Sequence, residues 1–253
     1  MSVTNQALKT YLDGLLRANE ISDYCPNGLQ VEGAREITKL VTGVTASKAL
    51  IDEAIKRNAD GIVVHHGYFW KGESQTITGM KKQRLKALIE NDINLYAYHL
   101  PLDVHPELGN NRQLADLLGI ENIAAVASVK PTGVLMQGEF ETALSSGALR
   151  DALGSLLSRS ILLEGGEAKP IKTLAWCTGG GQGFIEQAVE LGVDAFITGE
   201  VSEQTIHTAR EMDIAFFAAG HHATERYGAK ALGEHIESHF DVPVEFVDID
   251  NPA

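Results

Sequence analysis

The sequence predicts an α/β protein made of two similar, interlinked α/β units that arose by internal duplication. Its 253 residues exceed a typical domain of about 100–200 residues, which favours two cores. Hydrophobic residues make up 44% of the chain and charged residues 22%, as in folded globular proteins. A strand–helix–strand pattern also occurs twice, with each residue of the second copy 134 positions after its counterpart, as in Leu40 and Leu174.

The first copy contains every element of a parallel α/β unit. An amphipathic helix around residues 8–16 and a strand-turn at 31–33 come first. A strand at 40–45, a helix at 50–55, a strand at 59–64 and a third strand at 93–98 then follow. Alternation of apolar strands with helical patterns is typical of parallel sheets.

The second copy repeats this order with small insertions and deletions. Its helix and strand-turn lie at 149–157 and 163–165, and its three strands at 174–179, 193–198 and 214–219. A helix at 184–189 separates the first two strands. We expect the joint near residues 124–131. The predicted units are therefore 1–126 and 127–253.

Charge and composition restrict the partners of the protein. The net charge of −13 disfavours nucleic acid and anionic membranes. The apolar run at 215–219 is far shorter than the roughly 18 residues of a membrane span, and residues 1–5 do not begin a signal peptide. Cys25 and Cys177 lack CxxC spacing. These features predict a cytoplasmic protein.

Histidines and carboxylates follow the predicted strands, where open α/β sheets build ligand sites. The second strand of the first unit ends in His65, His66 and Gly67. Neighbouring histidines can serve one centre only if the strand has ended and the chain is turning, which Gly67 permits. A histidine with a carboxylate four residues later then follows the third strand of each unit. These two pairs are His99 with Asp103, and His221 with Glu225. The alternative is ordinary surface turns in which a carboxylate orients a histidine.

Imidazole and carboxylate donors without thiolate suit zinc, manganese, iron, nickel or cobalt. The number of donors exceeds what one catalytic ion needs, so two divalent ions are plausible. Either Glu225 or Asp103 could bridge them. Because the donors come from both repeats, the sequence predicts a site between the two units.

Several other features allow two interpretations. The loop 178–183 could bind an anion through its N–H groups or form a close-packed turn. The run Tyr68–Lys71 could stack a heterocycle, but an aromatic cluster at a subunit interface is favoured. Glu200 corresponds to His66 and could be a general base or a partner of a metal ligand. Residues with weaker cases for a supporting role are Glu203, His207 and His222, whereas structural or surface roles are expected for His105, His235 and His239.

The sequence also resembles the NIF-three-like family, which is named GTP cyclohydrolase I type II as well. The segments that carry the resemblance are Asp23–Val31, His65–Gly67, His99–Asp103, Thr198–Glu200 and Gly220–Glu225. They occur in the family's order over nearly the whole chain. The similarity is greatest to compact bacterial members that lack a long inserted domain.

The resemblance implies the NIF-three-like fold and a dinuclear metal centre in a ring-shaped homohexamer. It implies this ligand set: His66 and Asp103 on one ion, His65 and His221 on the other, and Glu225 bridging. His99 would lie nearby, and with Glu200 it is a candidate catalytic residue. The cofactors would be about two divalent ions per chain, of unspecified element.

Two functions follow from this reading of the sequence. The leading hypothesis is a metal-dependent hydrolase, similar to a cyclohydrolase, that acts on a small nucleotide-like or heterocyclic substrate. The alternative is a metal-binding, metal-delivery or regulatory scaffold protein without turnover. Metal-dependent loss of a compound would distinguish the two.

Overall fold

The computed structural model describes residues 1–166 and 169–253. The chain begins with short strands and a helix and then enters a parallel α/β arrangement. The elements up to residue 103 are β1 (Val3–Thr4), α1 (Asn5–Leu15), β2 (Gly28–Val31), β3 (Glu36–Ile37), β4 (Leu40–Thr45), α2 (Lys48–Lys56), β5 (Gly61–His66), α3 (Gly79–Glu90), β6 (Asn94–Ala97) and α4 (Leu100–Asp103).

The rest of the chain begins with a helix and two strands, then returns to alternating helices and strands, and ends with one long helix and a short strand. Its elements are α5 (Asn110–Leu118), β7 (Glu121–Ala125), β8 (Met136–Leu144), α6 (Ser146–Leu157), β9 (Leu162–Glu164), β10 (Ile171–Cys177), α7 (Ile185–Leu191), β11 (Ala195–Thr198), α8 (Glu203–Glu211), β12 (Ala215–Ala218), α9 (His221–Thr224), α10 (Arg226–Phe240) and β13 (Val244–Phe246). Two 3-10 turns lie at Ala18–Glu20 and Gln182–Phe184.

The chain divides into two compact units, and the division is not a simple cut into halves. Unit 1 comprises residues 1–108 and 228–250, and unit 2 comprises residues 109–227 and 251–253. Most of α10 and all of β13 belong to unit 1, because β13 pairs with β4 and the apolar face of α10 enters the core of that unit. The contact-based division therefore differs from the predicted boundary between 126 and 127.

Each unit is built on a sheet with the same central pattern. Unit 1 has the strand order β13-β4-β5-β6-β2, and unit 2 has the order β7-β8-β10-β11-β12-β9. In both units three parallel strands are followed by one antiparallel edge strand: β4, β5, β6 and β2 in unit 1 correspond to β10, β11, β12 and β9 in unit 2.

The register of the strands is also repeated. Leu40 pairs with Gly61 in unit 1, and Leu174 pairs with Ala195 in unit 2, so both partners are displaced by the same 134 positions. Just after the third parallel strand of unit 1, the N–H of Tyr98 donates to the carbonyl of Val64. In unit 2 the N–H of Ala219 donates to the carbonyl of Thr198 in the same way. The internal duplication predicted from the sequence is confirmed.

Helices cover both faces of the unit 1 sheet. Alternate residues of β5 point to opposite faces: Ile62 and Val64 pack with α2 and α3, whereas Val63 packs with α1 and α10. Parallel strands that are buried on both faces have continuous apolar sequences, which explains why residues 62–64 of β5 are all apolar.

Unit 2 has a matching core. Leu149, Leu153 and Leu157 on α6 are fully or almost fully buried against the sheet, as are Leu8, Leu12 and Leu16 in the α1 region of unit 1. The spacing of four residues places each set on one helical face. The two amphipathic helices predicted from the sequence therefore occupy equivalent places.

In the part of the chain that the structure describes, no helix combines the length and the apolar character that crossing a membrane requires.

Candidate metal centre

The strand β5 of unit 1 ends with His65 and His66, which are its last two residues. As the sequence predicts, the strand ends in these two histidines, and Thr45 still pairs with His66 in the ladder. The two rings nevertheless lie 4.4 Å apart between centroids. Side chains at a strand end can lean along the strand direction, so neighbouring imidazoles can reach one place.

Both histidines are held through one ring nitrogen. His65 is completely buried, and its Nδ1 lies 3.1 Å from the carbonyl oxygen of Tyr98, which can only accept a hydrogen bond. Its Nδ1 therefore carries the proton, and its Nε2 lies 3.5 Å from Oδ1 of Asp103. Nδ1 of His66 lies 3.1 Å from the Thr45 hydroxyl.

His99 joins this group from the end of β6. One potential ligand atom from each of His65, His66 and His99 lies within 4.8 Å of the other two. The Nδ1 atom of His99 lies 2.7 Å from Oδ1 of Asp23, and its backbone N–H donates to the side chain of Asn27. The bond to Asp23 leaves Nε2 as the nitrogen of His99 that can accept a proton or a metal ion.

Asp23 is a functional candidate that the sequence reasoning missed. Its side chain is 2% exposed, and it also accepts hydrogen bonds from the N–H groups of Leu100 and Tyr24. Burial alone would raise the pKa of this carboxyl, but the hydrogen bonds and the charge of His99 outweigh burial and lower it. Asp23 is the first residue of the segment Asp23–Val31, which carries part of the family resemblance. Its contact with His99 was not predicted, because the two residues are 76 positions apart.

Unit 2 places His221 and Glu225 together, as the spacing of four residues predicts. The short helix α9 runs from His221 to Thr224, and His221 Nε2 lies 3.2 Å from Oε2 of Glu225. Glu225 is buried, at 3% exposure. In unit 1 the corresponding Asp103 instead lies beside His65.

Glu200 contacts the other nitrogen of His221. Its Oε1 lies 2.8 Å from His221 Nδ1, and its Oε2 accepts a hydrogen bond of 3.0 Å from Gln182. Burial would lower the pKa of His221, but the hydrogen bonds and charges of Glu225 and Glu200 together raise it to about 9. The predicted pairing of Glu200 with a candidate metal ligand is therefore present.

Gly179 leaves the space that the Glu225 carboxylate occupies. A Cβ atom at this position would collide with Oε1 of Glu225 and lie 3.1 Å from Nε2 of His221. The φ of Gly179 is +66°, which side chains also disfavour. The sequence alone indicates only that Gly179 lies in a loop, because the carboxylate that fills the space beside it comes from 46 residues later.

The glycine-rich loop at 178–183 forms a packed turn. The N–H groups of Thr178, Gly179 and Gly181 donate to side-chain oxygens. Those acceptors are, in order, Asn111, Thr224 and Thr198. These N–H groups are used inside unit 2, so the loop does not present them to an anion.

Four other histidines have structural or surface surroundings. Nδ1 of His105 accepts backbone hydrogen bonds, and Nε2 of His235 lies 2.6 Å from the Tyr11 hydroxyl. The His239 ring stacks on Tyr11 at 4.0 Å between centroids. Nε2 of the exposed His207 lies 3.8 Å from a carboxylate oxygen of Glu203 on α8.

The donor chemistry of both units fits a transition metal. Unit 1 collects several imidazoles and a buried carboxylate at the carboxyl ends of its parallel strands, and unit 2 places one imidazole beside a buried carboxylate at the corresponding end of its sheet. The space beside Gly179 is filled by the carboxylate of Glu225, which is itself a potential ligand. The fold and these groups define a duplicated α/β protein with residues suited to metal binding.

The family relationship agrees with this class. The family described as Duf34/NIF3 (NGG1p interacting factor 3) matches residues 3–252, and the chain belongs to it. A protein of Yersinia pestis named "GTP cyclohydrolase 1 type 2 homolog" is 58% identical over 250 residues, which are 98% of this chain and 99% of the relative. The Escherichia coli K12 protein of the same name is 54% identical, with the same shares covered.

Solved structures show the same fold. The protein ybgI, described as of unknown function, superposes with a TM-score of 0.94 at 53% identity and covers 99% of this chain and 100% of its own. The protein TTHA1606 of Thermus thermophilus has a TM-score of 0.91 at 34% identity, with the same shares covered. The predicted fold class and family are confirmed.

Proposed function

We propose that the chain binds about two divalent metal ions and hydrolyses a small nucleotide-like or heterocyclic substrate. The proposed ligands are His65, His66 and Asp103 from unit 1 with His221 and Glu225 from unit 2. The observation that carries the proposal is that each unit places an imidazole beside a buried carboxylate at the carboxyl ends of its parallel strands. The relatives' name, GTP cyclohydrolase 1 type 2 homolog, suits a substrate of this class.

Bound ions would supply Lewis acidity, which activates water and polarises an electrophilic centre. The residues of the chain then have distinct tasks. His99 is the proposed proton acceptor, since Asp23 holds its Nδ1 and leaves its Nε2 available in a group with His65 and His66. Glu200 orients His221 and increases the basicity of its metal-binding nitrogen.

A second function is favoured by the hydrogen bonds of Glu200. Both carboxylate oxygens of this candidate base are engaged, by His221 and Gln182, which suits a residue that stabilises a site better than one that moves protons. A metal-binding, metal-delivery or regulatory scaffold protein needs a stable site of this kind and no turnover.

The test combines metal content with turnover. Protein reconstituted under reducing conditions should contain about two transition-metal ions per chain by elemental analysis, and the double variant His65→Ala/His66→Ala should lose most of them. The loaded protein should then consume a member of a nucleotide and heterocycle panel. Wild-type protein that binds no metal would disprove the dinuclear proposal. Exchange of metal with a partner and no turnover would select the delivery function.

Assembly and location are proposals that rest on the family resemblance and on composition. We expect a homohexamer in the cytoplasm, with a small molecule and not a membrane or nucleic acid as partner. A stable monomer at micromolar concentration in light scattering would contradict the oligomer.

A further inference from the structure

The aromatic run that follows β5 does not form one packed cluster. Tyr68 is buried, and its hydroxyl donates to the carbonyl of Ala46 at 2.6 Å. The ring of Phe69 lies under the ammonium group of Lys81, 4.9 Å from its centroid. Of these three rings, Trp70 is the one that contacts the candidate ligands, through His66 and His99.

Trp70 lines the histidine group of unit 1. Its ring centroid lies 4.9 Å from that of His99 in an edge arrangement and 6.0 Å from that of His66. The indole N–H donates to the carbonyl of Gly67 at 3.2 Å, which fixes the orientation of the ring. The side chain is only half-buried, so part of the indole surface faces solvent beside the candidate metal ligands.

Hydrogen bonds and an ion pair restrain the loop around Trp70. The backbone N–H of Trp70 donates to Oε2 of Glu73, and the N–H of Glu73 donates back to the carbonyl of Trp70. Lys81 lies 3.2 Å from the Glu73 carboxylate. Phe69, directly before Trp70, has a φ of +65°, a left-handed conformation that costs a non-glycine residue energy. A rigid aromatic surface next to a ligand site loses little entropy when another ring stacks on it.

We propose that Trp70 is the stacking surface for a planar heteroaromatic ring of the substrate. This inference rests on the proposed function, which needs a substrate of that class at the same histidines. Indole has a large π surface that stacks with any purine-like ring without needing a particular hydrogen-bond pattern. Its edge is already bonded to Gly67, so recognition by Trp70 uses the face of the indole.

The experiment compares two probes that differ in the ring. Binding of guanosine 5′-monophosphate and of ribose 5-phosphate to the metal-loaded protein is measured by calorimetry for wild type, Trp70→Leu and Trp70→Phe. We expect Trp70→Leu to weaken binding of the nucleotide by about 5- to 150-fold and to leave ribose 5-phosphate unchanged. Trp70→Phe should fall between the two. Ile77→Ala, an exposed change in the same loop, is the matched control and should have no effect.

Metal content and fluorescence distinguish stacking on Trp70 from a structural role of this residue. All variants should retain the wild-type metal content, and the nucleotide should quench Trp70 emission in a Trp176→Phe background, where Trp70 is the remaining tryptophan of the two. Equal nucleotide binding by wild type and Trp70→Leu, or none by either, would overturn the inference. Loss of metal in Trp70→Leu would also overturn it, because Trp70 would then support the histidines. Wild-type protein without metal would instead show that the proposed function fails.

Discussion

The two units share a scaffold but differ at the strand ends where their candidate ligands lie. The position of His65 in unit 1 is Gly199 in unit 2, that of His66 is Glu200, and that of Thr45 is Gly179. Asp103 therefore lies beside His65 of β5, whereas Glu225 lies beside His221, which begins the short helix directly before it. Unit 1 is rich in imidazoles, and unit 2 contributes one imidazole between two carboxylates.

This difference shows that equivalent histidines can be oriented by residues that are not equivalent. His99 and His221 follow corresponding strands, and each has a carboxylate on Nδ1. That carboxylate is Asp23 from the loop before β2 in unit 1, and Glu200 from the end of β11 in unit 2. Because Glu200 takes the position of His66, unit 2 has an orienting group where unit 1 has a proposed metal ligand.

The largest effect is expected from Glu225→Ala, which tests whether unit 2 supplies the bridging group. Glu225 is the proposed contact to both ions, so its removal takes a ligand from each and also the negative charge that reduces their repulsion. Metal titration should show loss of both ions in Glu225→Ala, whereas His221→Ala should retain about one. Glu225→Gln should be intermediate, because the amide lacks the charge.

Circular dichroism should show that these variants keep their fold, since both residues lie at a short helix after a strand end. Two ions bound to Glu225→Ala with wild-type affinity would exclude the bridging role and make Asp103 the better candidate.

A smaller effect is expected from Gly179→Ala, which gives unit 2 a side chain where unit 1 has Thr45. The added Cβ would displace the Glu225 carboxylate, so metal affinity should fall at least about tenfold. Gly192→Ala is the matched control, because Gly192 has a similar φ of +70° but nothing within 4 Å of the added atom. Both variants should therefore carry a similar cost from backbone strain, about 1 kcal/mol in the free energy of unfolding. Unchanged metal affinity in Gly179→Ala would show that Glu225 does not need this space.

The next comparison concerns the two orienting carboxylates. Glu200→Gln should weaken metal binding by about 10- to 100-fold, because His221 loses a charged partner on Nδ1. Asp23→Asn should affect metal affinity less and turnover more, since His99 is the proposed proton acceptor. Titration calorimetry with a divalent ion measures the first effect, with the exposed Glu203→Gln as control. If Asp23→Asn weakened metal binding more and Glu200→Gln lowered turnover more, His99 would be the metal ligand and His221 the proton acceptor.

The fold could be predicted from the sequence because apolar strands and amphipathic helices repeat at a constant spacing, as Leu40 and Leu174 illustrate. The pair of His221 and Glu225 could be identified because it directly follows a strand. At the same spacing in unit 1, Asp103 lies beside His65 instead of His99. The partner of His99 could not, since Asp23 reaches it only through tertiary folding over 76 residues. The space at Gly179 and the ring contacts of Trp70 also depend on side-chain packing, which local sequence patterns do not encode.

The smallest predicted effect concerns a motif that the two units still share. Asp60 accepts hydrogen bonds from the N–H groups of Thr38 and Lys39, and Asp194 accepts them from those of Lys172 and Thr173. Each aspartate thereby ties the start of a second parallel strand to the first. Asp194→Asn should lower the free energy of unfolding by about 1 kcal/mol at pH 7, because the bonds to the charged oxygen become weaker.

The pH dependence gives this last prediction its sign. Burial alone would raise the pKa of Asp194, but the backbone hydrogen bonds outweigh it and hold the pKa below the ordinary value of 3.8. Ionised Asp194 therefore stabilises the folded protein above pH 3.8, and this contribution is lost as the pH falls through the folded-state pKa. Urea unfolding should show a constant difference between wild type and Asp194→Asn near neutral pH and a decreasing one in acid. The exposed Asp151→Asn is the control. A difference that grows in acid would mean that Asp194 is protonated in the folded protein and that the shared motif does not depend on its charge.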